Sequence, residues 1–194
     1  MKLKVVSILL IALAVLSLLG CSFNKAQKHM VVDAKGVSFE SLEEMENAAD
    51  AVLLVTRAKE EVPVIKYLDG ERVYSAYTFS KSTIDKVLVD KTGTLNPGDS
   101  VRILENEAYD KKTNVVYHVG GYNMMKEGKK YLLFVSRHLD TDGQTYYVAD
   151  GVQFGTISLE EDGRTSPPSG NGEKVDNSVY EGIWQEAKSK YLGG

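Results

Sequence analysis

The spacing of hydrophobic residues changes several times along the chain, and each change predicts a different element. Val5 to Leu19 is an almost unbroken aliphatic run. In residues 38–49 the apolar side chains instead recur on one helical face, and Ser41 and Glu44 have the spacing of a capping box. Residues 51–55 return to a continuous apolar run, which is typical of a strand covered on both faces. The pattern therefore predicts an apolar leader, then a short helix, then the first strand of a β region.

Most of the chain after residue 60 has the pattern of strands separated by turn residues. Asp69-Gly70 is a hairpin signal, because both turn positions tolerate positive φ, and Asp142-Gly143 repeats it. The segment after the first hairpin continues to Val89, which predicts one long strand with a kink or bulge near Ser80-Lys81. The other strands are predicted at Val62 to Leu68, Val101 to Glu105, Val115 to Val119, Lys129 to Ser136, Thr145 to Val148 and Gly155 to Leu159. About seven or eight strands with turns at this spacing favour a small barrel or sandwich.

A segment rich in Pro, Ser and Gly separates the β region from the C-terminus and predicts a linker loop. Beyond it, apolar residues at helical spacing predict an amphipathic helix: Tyr180, Ile183, Trp184, Ala187 and Tyr191. We expect this helix to pack on the β domain; the alternative is that its aromatic face docks a partner protein. The predicted organisation is a leader at 1–20, a tether at 21–37, a β domain with an N-terminal helix at 38–164, a linker at 165–176 and the helix at 177–194.

The apolar leader has the features of a bacterial export signal. Lys2 and Lys4 precede it, and at about 15 residues it is shorter than the roughly 20 that cross a bilayer as a stable helix. It ends in Leu18-Leu19-Gly20-Cys21, which resembles the lipobox of bacterial lipoproteins. The resemblance implies cleavage between Gly20 and Cys21 and a diacylglyceryl group on the Cys21 thiol, with palmitate-type chains that anchor the protein.

A lipid on Cys21 would place the chain at the cell membrane, on its extracytoplasmic face. Two acyl chains give stable anchoring, whereas a single chain gives only marginal residence. Ser22, directly after the modified residue, fits retention at a single outward-facing plasma membrane, and we favour a Gram-positive source. Residues 22–29, directly after Cys21, are mostly polar and lack periodicity, and residues 22–37 are predicted to form a flexible tether with a fully extended reach of about 50–55 Å.

Composition limits the partners of the mature chain. Removal of residues 1–20 leaves 21 Lys and Arg against 27 Asp and Glu, a side-chain charge of −6. A mildly acidic surface argues against nucleic acid, whose phosphates require a concentrated basic face. The single cysteine excludes an internal disulfide. We therefore expect an envelope protein, a peptide or a glycan as partner, besides the membrane itself.

No catalytic constellation stands out in the sequence. The G-x-S-x-G pattern of serine hydrolases is absent, and Cys21 is assigned to the lipid. His118 and His138 are isolated rather than set at a metal-ligand spacing. Asp140-Thr141-Asp142-Gly143 fits a turn between strands better than a calcium loop, because the distal Glu is missing. We therefore predict a non-enzymatic protein with no metal site and no cofactor.

Tyrosine is the one unusual component of the composition, with eleven residues against five Phe and one Trp. Most of these tyrosines lie on or beside predicted strands, where β-propensity and packing at strand edges account for them. The alternative is a tyrosine-rich binding face, since Tyr offers a large contact area at low entropic cost. Tyr117 and Tyr122 are the candidate residues for such a face.

Four short motifs occur in order between residues 50 and 136. They are Asp50-Ala51-Val52, Val89-Asp90-Lys91 followed by Gly93, Leu95-x-x-Gly98-Asp99-x-Val101 and Glu127-Gly128-x-x-Tyr131-Leu132-Leu133-Phe134. This order resembles bacterial members of the netrin-like, or metalloproteinase-inhibitor-like, OB-fold group. The resemblance implies a mainly β fold: a small Greek-key OB-like barrel with extra hairpins, one N-terminal and one C-terminal helix. Metalloproteinase inhibition does not transfer with it, because Cys21 lies outside the domain and the family's cysteine framework is absent.

Together these features predict a membrane-tethered binding or interaction module of the cell envelope. OB-like barrels commonly bind across one face and its flanking loops, here the loops around 106–114 and 120–128. Two alternatives stay open. One is an envelope enzyme or accessory subunit with a site of scattered carboxylates or histidines, and the other is a purely structural envelope component.

Overall fold

Strands dominate the structure, a computed structural model that describes residues 26–34, 37–152, 154–160 and 178–193. Ten strands and two helices lie within these ranges. They are β1 (Lys28–Val32), α1 (Leu42–Ala48), β2 (Ala51–Glu60), β3 (Val64–Leu68), β4 (Arg72–Asp90), β5 (Ser100–Glu105), β6 (Glu107–Asp110), β7 (Val115–Val119), β8 (Lys130–Leu139), β9 (Thr145–Ala149), β10 (Thr156–Ser158) and α2 (Ser178–Leu192). The predicted fold class, mainly β with a helix toward each end of the chain, is confirmed.

Five of the strands form a ring. β2 pairs antiparallel with β4 on one side and with β8 on the other. β5 pairs antiparallel with β4, and β9 pairs antiparallel with β8. β5 and β9 close the ring in parallel through only two residue pairs, Ile103 with Tyr147 and Leu104 with Val148. The result is a partly closed five-stranded barrel of the OB-like type predicted from the sequence.

β2 and β8 are apolar on both faces because both faces are covered. Alternate residues, such as Leu53 and Leu133, are fully buried in the barrel interior. The residues between them, such as Val52 and Phe134, pack on the outer face of the barrel against α1 and α2. The continuous apolar runs in the sequence therefore mark the strands that lie between two hydrophobic layers.

α1 begins at the predicted capping box and is shorter than the predicted 38–49. The Ser41 hydroxyl accepts the backbone N–H of Glu44 at 3.2 Å, and the Glu44 carboxylate accepts the N–H of Glu40 at 2.9 Å. Leu42 and Met45 are buried. Ala49 has already returned to an extended conformation, so the chain leaves the helix directly into β2.

α2 packs on the outer face of the barrel. Ile183 is buried in the same cluster as the outer residues of β2 and β8. The Trp184 indole donates to the carbonyl oxygen of Phe154 at 3.0 Å, and the Tyr191 hydroxyl donates to Glu46 of α1 at 2.7 Å. Of the two roles considered for this helix, the structure shows packing on the domain.

β4 is the long strand predicted after Asp69-Gly70. Both turn residues have positive φ, 53° and 82°. The strand pairs first with β3 and then with β5 and β2. Its pairing with β2 shifts register between Arg57 and Lys59, opposite Ser82 and Lys81, close to the predicted kink.

β8 changes neighbours along its length, pairing with β10 through 131–133 and with β9 through 135–139. The chain between β9 and β10 must therefore turn back against β8 within a few residues. Gly155 lies at this crossing, where its N–H donates to the carbonyl of Asp150 and its own carbonyl accepts the N–H of Phe134, both at 2.8 Å. A Cβ on residue 155 would lie 2.6 Å from the Asp150 carbonyl oxygen, so only glycine fits without a backbone shift.

The structure differs from the sequence pattern within the segment predicted as a tether, residues 21–37. Residues 28–32 form β1, which pairs in parallel with β7 over five residues in a small sheet of order β1-β7-β6. Four of the five side chains are exposed, so no buried face marks this strand in the sequence. Gly20, Cys21 and the linker at 165–176 lie outside the described residues. Within the described ranges, no helix is long and apolar enough to span a bilayer.

Candidate functional site

The barrel opens where β5 and β9 part. The two strands pair only through Ile103 and Leu104 of β5, and an open cleft of about 650 Å³ lies toward their N-terminal ends. Its lining includes three apolar residues and three cations: Leu95, Val101 and Tyr147, and Lys81, Arg102 and Arg137. We call this opening the β5–β9 cleft. The other lining residues are polar or charged, so the cleft is a mainly polar opening with a small apolar base.

The barrel core forms the apolar base of the β5–β9 cleft. Val101 and Tyr147 belong to the interior cluster, and Leu95 packs against it from the loop before β5. Burial raises the pKa of the Tyr147 phenol, and Arg137 beside it opposes this rise. The phenol is therefore uncharged at neutral pH. Because its residues are held by the core, the base is rigid.

Arg102 is fixed in place on the wall of the cleft. Its guanidinium lies over the Phe79 ring, 3.6 Å from the ring centroid. It donates to Glu61 at 2.9 and 3.2 Å and to Asp140 at 2.8 Å. Backbone N–H groups in the loop, with Arg102, hold the pKa of the Asp140 carboxyl below its usual value. Arg102 thus has two carboxylate partners and a fixed orientation.

Lys81 stands in a row of cations that crosses three strands. Lys59 of β2 lies opposite Lys81 of β4, and Lys81 in turn lies opposite Arg102 of β5. Like charges directly opposite each other on neighbouring strands are destabilising. Neither lysine forms an ion pair with any residue that the structure describes. The edge of the cleft therefore carries a lysine side chain, Lys81, without a direct ion-pair partner among the described residues.

Arg137 supplies the third cation from the far side of the cleft. It lies near the end of β8, its side chain is exposed, and its guanidinium donates to the Thr145 hydroxyl at 3.2 Å. Its backbone N–H donates to Asp50 at 2.8 Å. Among the described residues, its side chain also has no ion-pair partner.

A second polar group lies inside the barrel, away from the cleft. The carboxylate of Glu105 is fully buried, 3.6 Å from Nε of Arg57, and it accepts the Tyr122 hydroxyl at 3.0 Å and the Met125 N–H at 2.7 Å. Burial raises the pKa of Glu105 to about 7. Five buried polar atoms near this end lack a hydrogen-bond partner among the described residues: Arg57 Nε, Glu105 Oε1, Ser80 Oγ, Ser82 Oγ and Thr156 Oγ1. This group is closed to solvent, so it shapes stability rather than binding.

The two tyrosines singled out from the sequence are buried. Tyr117 is 6% exposed and packs with Ala108 and Val115 beneath the small sheet. Tyr122 is 1% exposed and bonds to Glu105 in the barrel interior. The loop at 120–128 therefore closes the end of the barrel, and neither ring offers an exposed contact surface in this structure. Neither residue lines the β5–β9 cleft.

The two histidines considered as metal ligands are not brought together. His118 Nδ1 lies 2.9 Å from the Tyr122 carbonyl and 3.2 Å from Glu107, and its Nε2 lies 2.8 Å from His29 of β1. His138 instead stacks on Tyr146 at the end of β8. In the part of the chain that the structure describes, no group of three or more His, Cys, Asp or Glu side chains is arranged to hold a metal ion.

The cations of the cleft could not be identified from sequence spacing alone. Residues 81, 102 and 137 belong to three different strands, and only the pairing register brings them to one opening. A row of like charges at opposed strand positions is the signal that marks Lys81 and Arg102, and it becomes visible once the register is known. No family model matches the chain, and no curated protein matches it.

Proposed function

We propose that the chain is a lipid-anchored, extracytoplasmic module that binds a ligand or partner of the cell envelope in the β5–β9 cleft and does not transform it. The cleft itself is the observation that carries the proposal. It is open, about 650 Å³ in volume, and combines a rigid apolar base with charged side chains at its edge. The lipobox cysteine, Cys21, would supply the membrane anchor. We favour a Gram-positive bacterium as the source of the chain.

The position of the cleft on the barrel supports a binding role. OB barrels bind ligands across their second and third strands and through the loops after the first and fourth strands. In this ring the second and third strands are β4 and β5, which carry Lys81 and Arg102. Gln144 lies in the loop after the fourth strand, and Glu61 directly follows the first. The cleft thus lies where OB-like barrels in general bind their ligands.

The chemistry of the lining supports binding without catalysis. The described lining contains neither a histidine nor a cysteine, the side chains that most often act as general base or as nucleophile near neutral pH. The guanidinium of Arg102 is held in place by Glu61 and Asp140. It therefore acts as a fixed positive charge and not as a group that transfers protons. Its hydroxyl and amide groups, from Thr94, Ser100, Thr145 and Gln144, are suited to hydrogen bonding with a polar ligand.

Filling the cleft tests the proposal. Ser100 is an exposed lining residue at the start of β5, so Ser100→Trp places an indole in the opening without altering the core. Thr83 lies opposite Ser100 on β4, is also exposed and does not line the cleft, so Thr83→Trp is the control. Both substitutions are made in Cys21→Ala protein lacking residues 1–20, so that a lipid cannot mediate binding.

Co-sedimentation with isolated envelope fractions measures the result. We expect the parent protein and Thr83→Trp to sediment with the envelope, and Ser100→Trp to bind at least about tenfold more weakly, because about 1.4 kcal/mol of lost contact suffices for that change. Equal binding by the two tryptophan variants would place the site elsewhere. If the parent protein does not bind at all, the proposal is wrong and a purely structural role is favoured.

A further inference from the structure

The charges at the β5–β9 cleft allow the ligand to be assigned to a chemical class. Resting on the proposed function, we infer that the ligand is an acidic sugar or polyol derivative whose carboxylate or phosphate group binds to Lys81 and Arg137. Some charged groups at the cleft are already paired within the fold, and Lys81 and Arg137 are not.

The carboxylates at the cleft are already engaged. Glu61 and Asp140 hold Arg102 at 2.9 and 2.8 Å, and the second oxygen of Asp140 accepts two backbone N–H groups of its own loop. Asp99 accepts the backbone N–H of Asn96 at 2.9 Å, which fixes the turn before β5. These three acidic groups therefore serve the fold, and none of them forms an ion pair with the remaining cations within the described residues.

Lys81 and Arg137 are the cations left for a ligand. Both side chains are exposed, so neither is required to keep the core closed. Lys81 is opposed on both sides by Lys59 and Arg102, and an anion bound beside it would relieve this repulsion. The planar guanidinium of Arg137 matches the geometry of carboxylate and phosphate oxygens. An anionic group in the cleft would give these two side chains the direct ion-pair partner that they lack among the described residues.

The remaining lining specifies the neutral part of the ligand. Thr94, Ser100 and Gln144 present hydroxyl and amide groups at the rim, and Val101 and Tyr147 form an apolar floor. A sugar or polyol matches both, because it carries hydroxyl groups on a C–H framework. A purely apolar acid would form no hydrogen bonds with Ser100 and Gln144 at the rim, and a bare inorganic anion would leave the floor uncovered.

Four small probes test the inference on the mature chain with Cys21→Ala. Glucuronate and glycerol 3-phosphate carry the two candidate acidic groups, and glucose and glycerol are their uncharged counterparts. The charge-removing variant is Lys81→Gln with Arg137→Gln. Its control is Lys66→Gln with Lys86→Gln, which removes two exposed lysine charges away from the lining. Calorimetric titration measures affinity, and circular dichroism confirms that each variant is folded.

We expect at least one charged probe to bind at least about tenfold more tightly than its neutral counterpart, with an affinity that falls as salt is added. The Lys81/Arg137 variant should bind the charged probe no more tightly than its neutral counterpart. The Lys66/Lys86 control should keep the tighter binding of the charged probe. The probe that binds more tightly identifies carboxylate or phosphate as the acidic group. Equal affinity for charged and neutral probes, or equal affinity of the two double variants, would overturn the inference.

The envelope assay separates this failure from failure of the proposed function. If Ser100→Trp abolishes envelope binding while the Lys81/Arg137 variant retains it in full, the cleft binds a ligand of other chemistry. In that case the proposed function stands and the inference about the acidic group is wrong. If Ser100→Trp and the Lys81/Arg137 variant both lose binding, the inference is supported.

Discussion

Glu105 is a carboxyl group in the barrel interior, and its surroundings favour the protonated form. Burial raises its pKa to about 7, against the opposing effects of Ser80, the Met125 N–H, Arg57 and the Tyr122 hydroxyl. The ordinary value is 4.5. Because the folded-state pKa is the higher one, the stabilising contribution of Glu105 is complete below that ordinary value and is lost as the pH rises to about 7.

Glu105→Gln is expected to reduce this pH dependence. In the parent protein the free energy of unfolding should fall by on the order of 3 kcal/mol over the interval, because each pKa unit corresponds to about 1.4 kcal/mol. The amide cannot ionise, so the variant lacks this part of the decline. Urea unfolding followed by circular dichroism between pH 4.5 and pH 7.5 measures the slopes. Glu71→Gln, at an exposed position, is the control, and a slope in Glu105→Gln equal to that of the control would contradict the raised pKa.

The residues singled out by composition and those at the cleft differ for a physical reason. Tyr117 and Tyr122 stand out because tyrosine is abundant, yet abundance does not say which side of a strand or loop faces solvent, and both rings are buried. Lys81, Arg102 and Arg137 are ordinary surface residues in the sequence. They become a site only through strand pairing between distant segments, which local spacing does not encode.

At the scale of elements, β1 joins the small sheet through contacts that no local pattern reveals. Nδ1 of His29 lies 2.8 Å from Nε2 of His118, with the two rings stacked. The Asn114 side chain donates to the carbonyl of Ala26 at 3.2 Å. Hydrogen bonding to Glu107 raises the pKa of His118. The protonated form of His118 thus stabilises the fold at low pH, and this contribution is lost as the pH rises through the raised pKa.

His29→Ala is expected to loosen β1 while the barrel stays folded. Removing one hydrogen bond and a ring contact should cost about 1 kcal/mol locally, and amide hydrogens of β1 and β7 should exchange several-fold faster. Hydrogen–deuterium exchange with mass spectrometry measures this, with β2 and β8 as internal references. Met30→Ala is the control, because Met30 is the neighbouring residue of the same strand and is 52% exposed. If both variants exchange alike, the histidine contact does not hold β1.

The elements that could be predicted are those with a signal of their own. The strand at residues 51–55 could be predicted because its apolar run is continuous, and the structure shows that both of its faces are covered. β4 could be predicted because the Asp69-Gly70 turn marks its start. β1 and β6 escape prediction since they are short and depend on β7 for their hydrogen bonds; β1 also lacks a buried face, and the buried face of β6 consists only of Ala108 and Asp110. For such strands the stabilising partner is distant in sequence, so periodicity carries no trace of it.

At the scale of the whole molecule, the residues that the structure describes bury three separate apolar clusters. One fills the barrel, one lies between the barrel and the two helices, and one lies beneath the small sheet. A β barrel with flanking helices could be predicted from strand spacing and helical periodicity. The incomplete closure that creates the cleft could not, because it depends on how few residue pairs β5 and β9 form.

The proposed anchor makes a prediction for the intact chain in its native host. The protein should partition with membranes, and its N-terminal peptide should carry a diacylglyceryl group on Cys21. Cys21→Ala should release the protein from the membrane fraction, because the substituted side chain cannot form the thioether. Ser22→Ala keeps the lipobox and is the control. An unmodified, full-length N-terminus found by mass spectrometry would remove the basis for placing the domain beside a membrane.

The docking of β1 also sets how far the domain can stand from such a membrane. Because Asn114 already holds the chain at Ala26, only five peptide units separate that point from Cys21, and these reach at most about 18 Å. A free segment up to residue 37 would allow roughly 55 Å. With β1 paired, the domain would be held close to the lipid headgroups. It would then meet its ligands in the layer of solution next to the bilayer. Opening the five residue pairs between β1 and β7 would lengthen the free segment and let the domain stand farther from such a membrane.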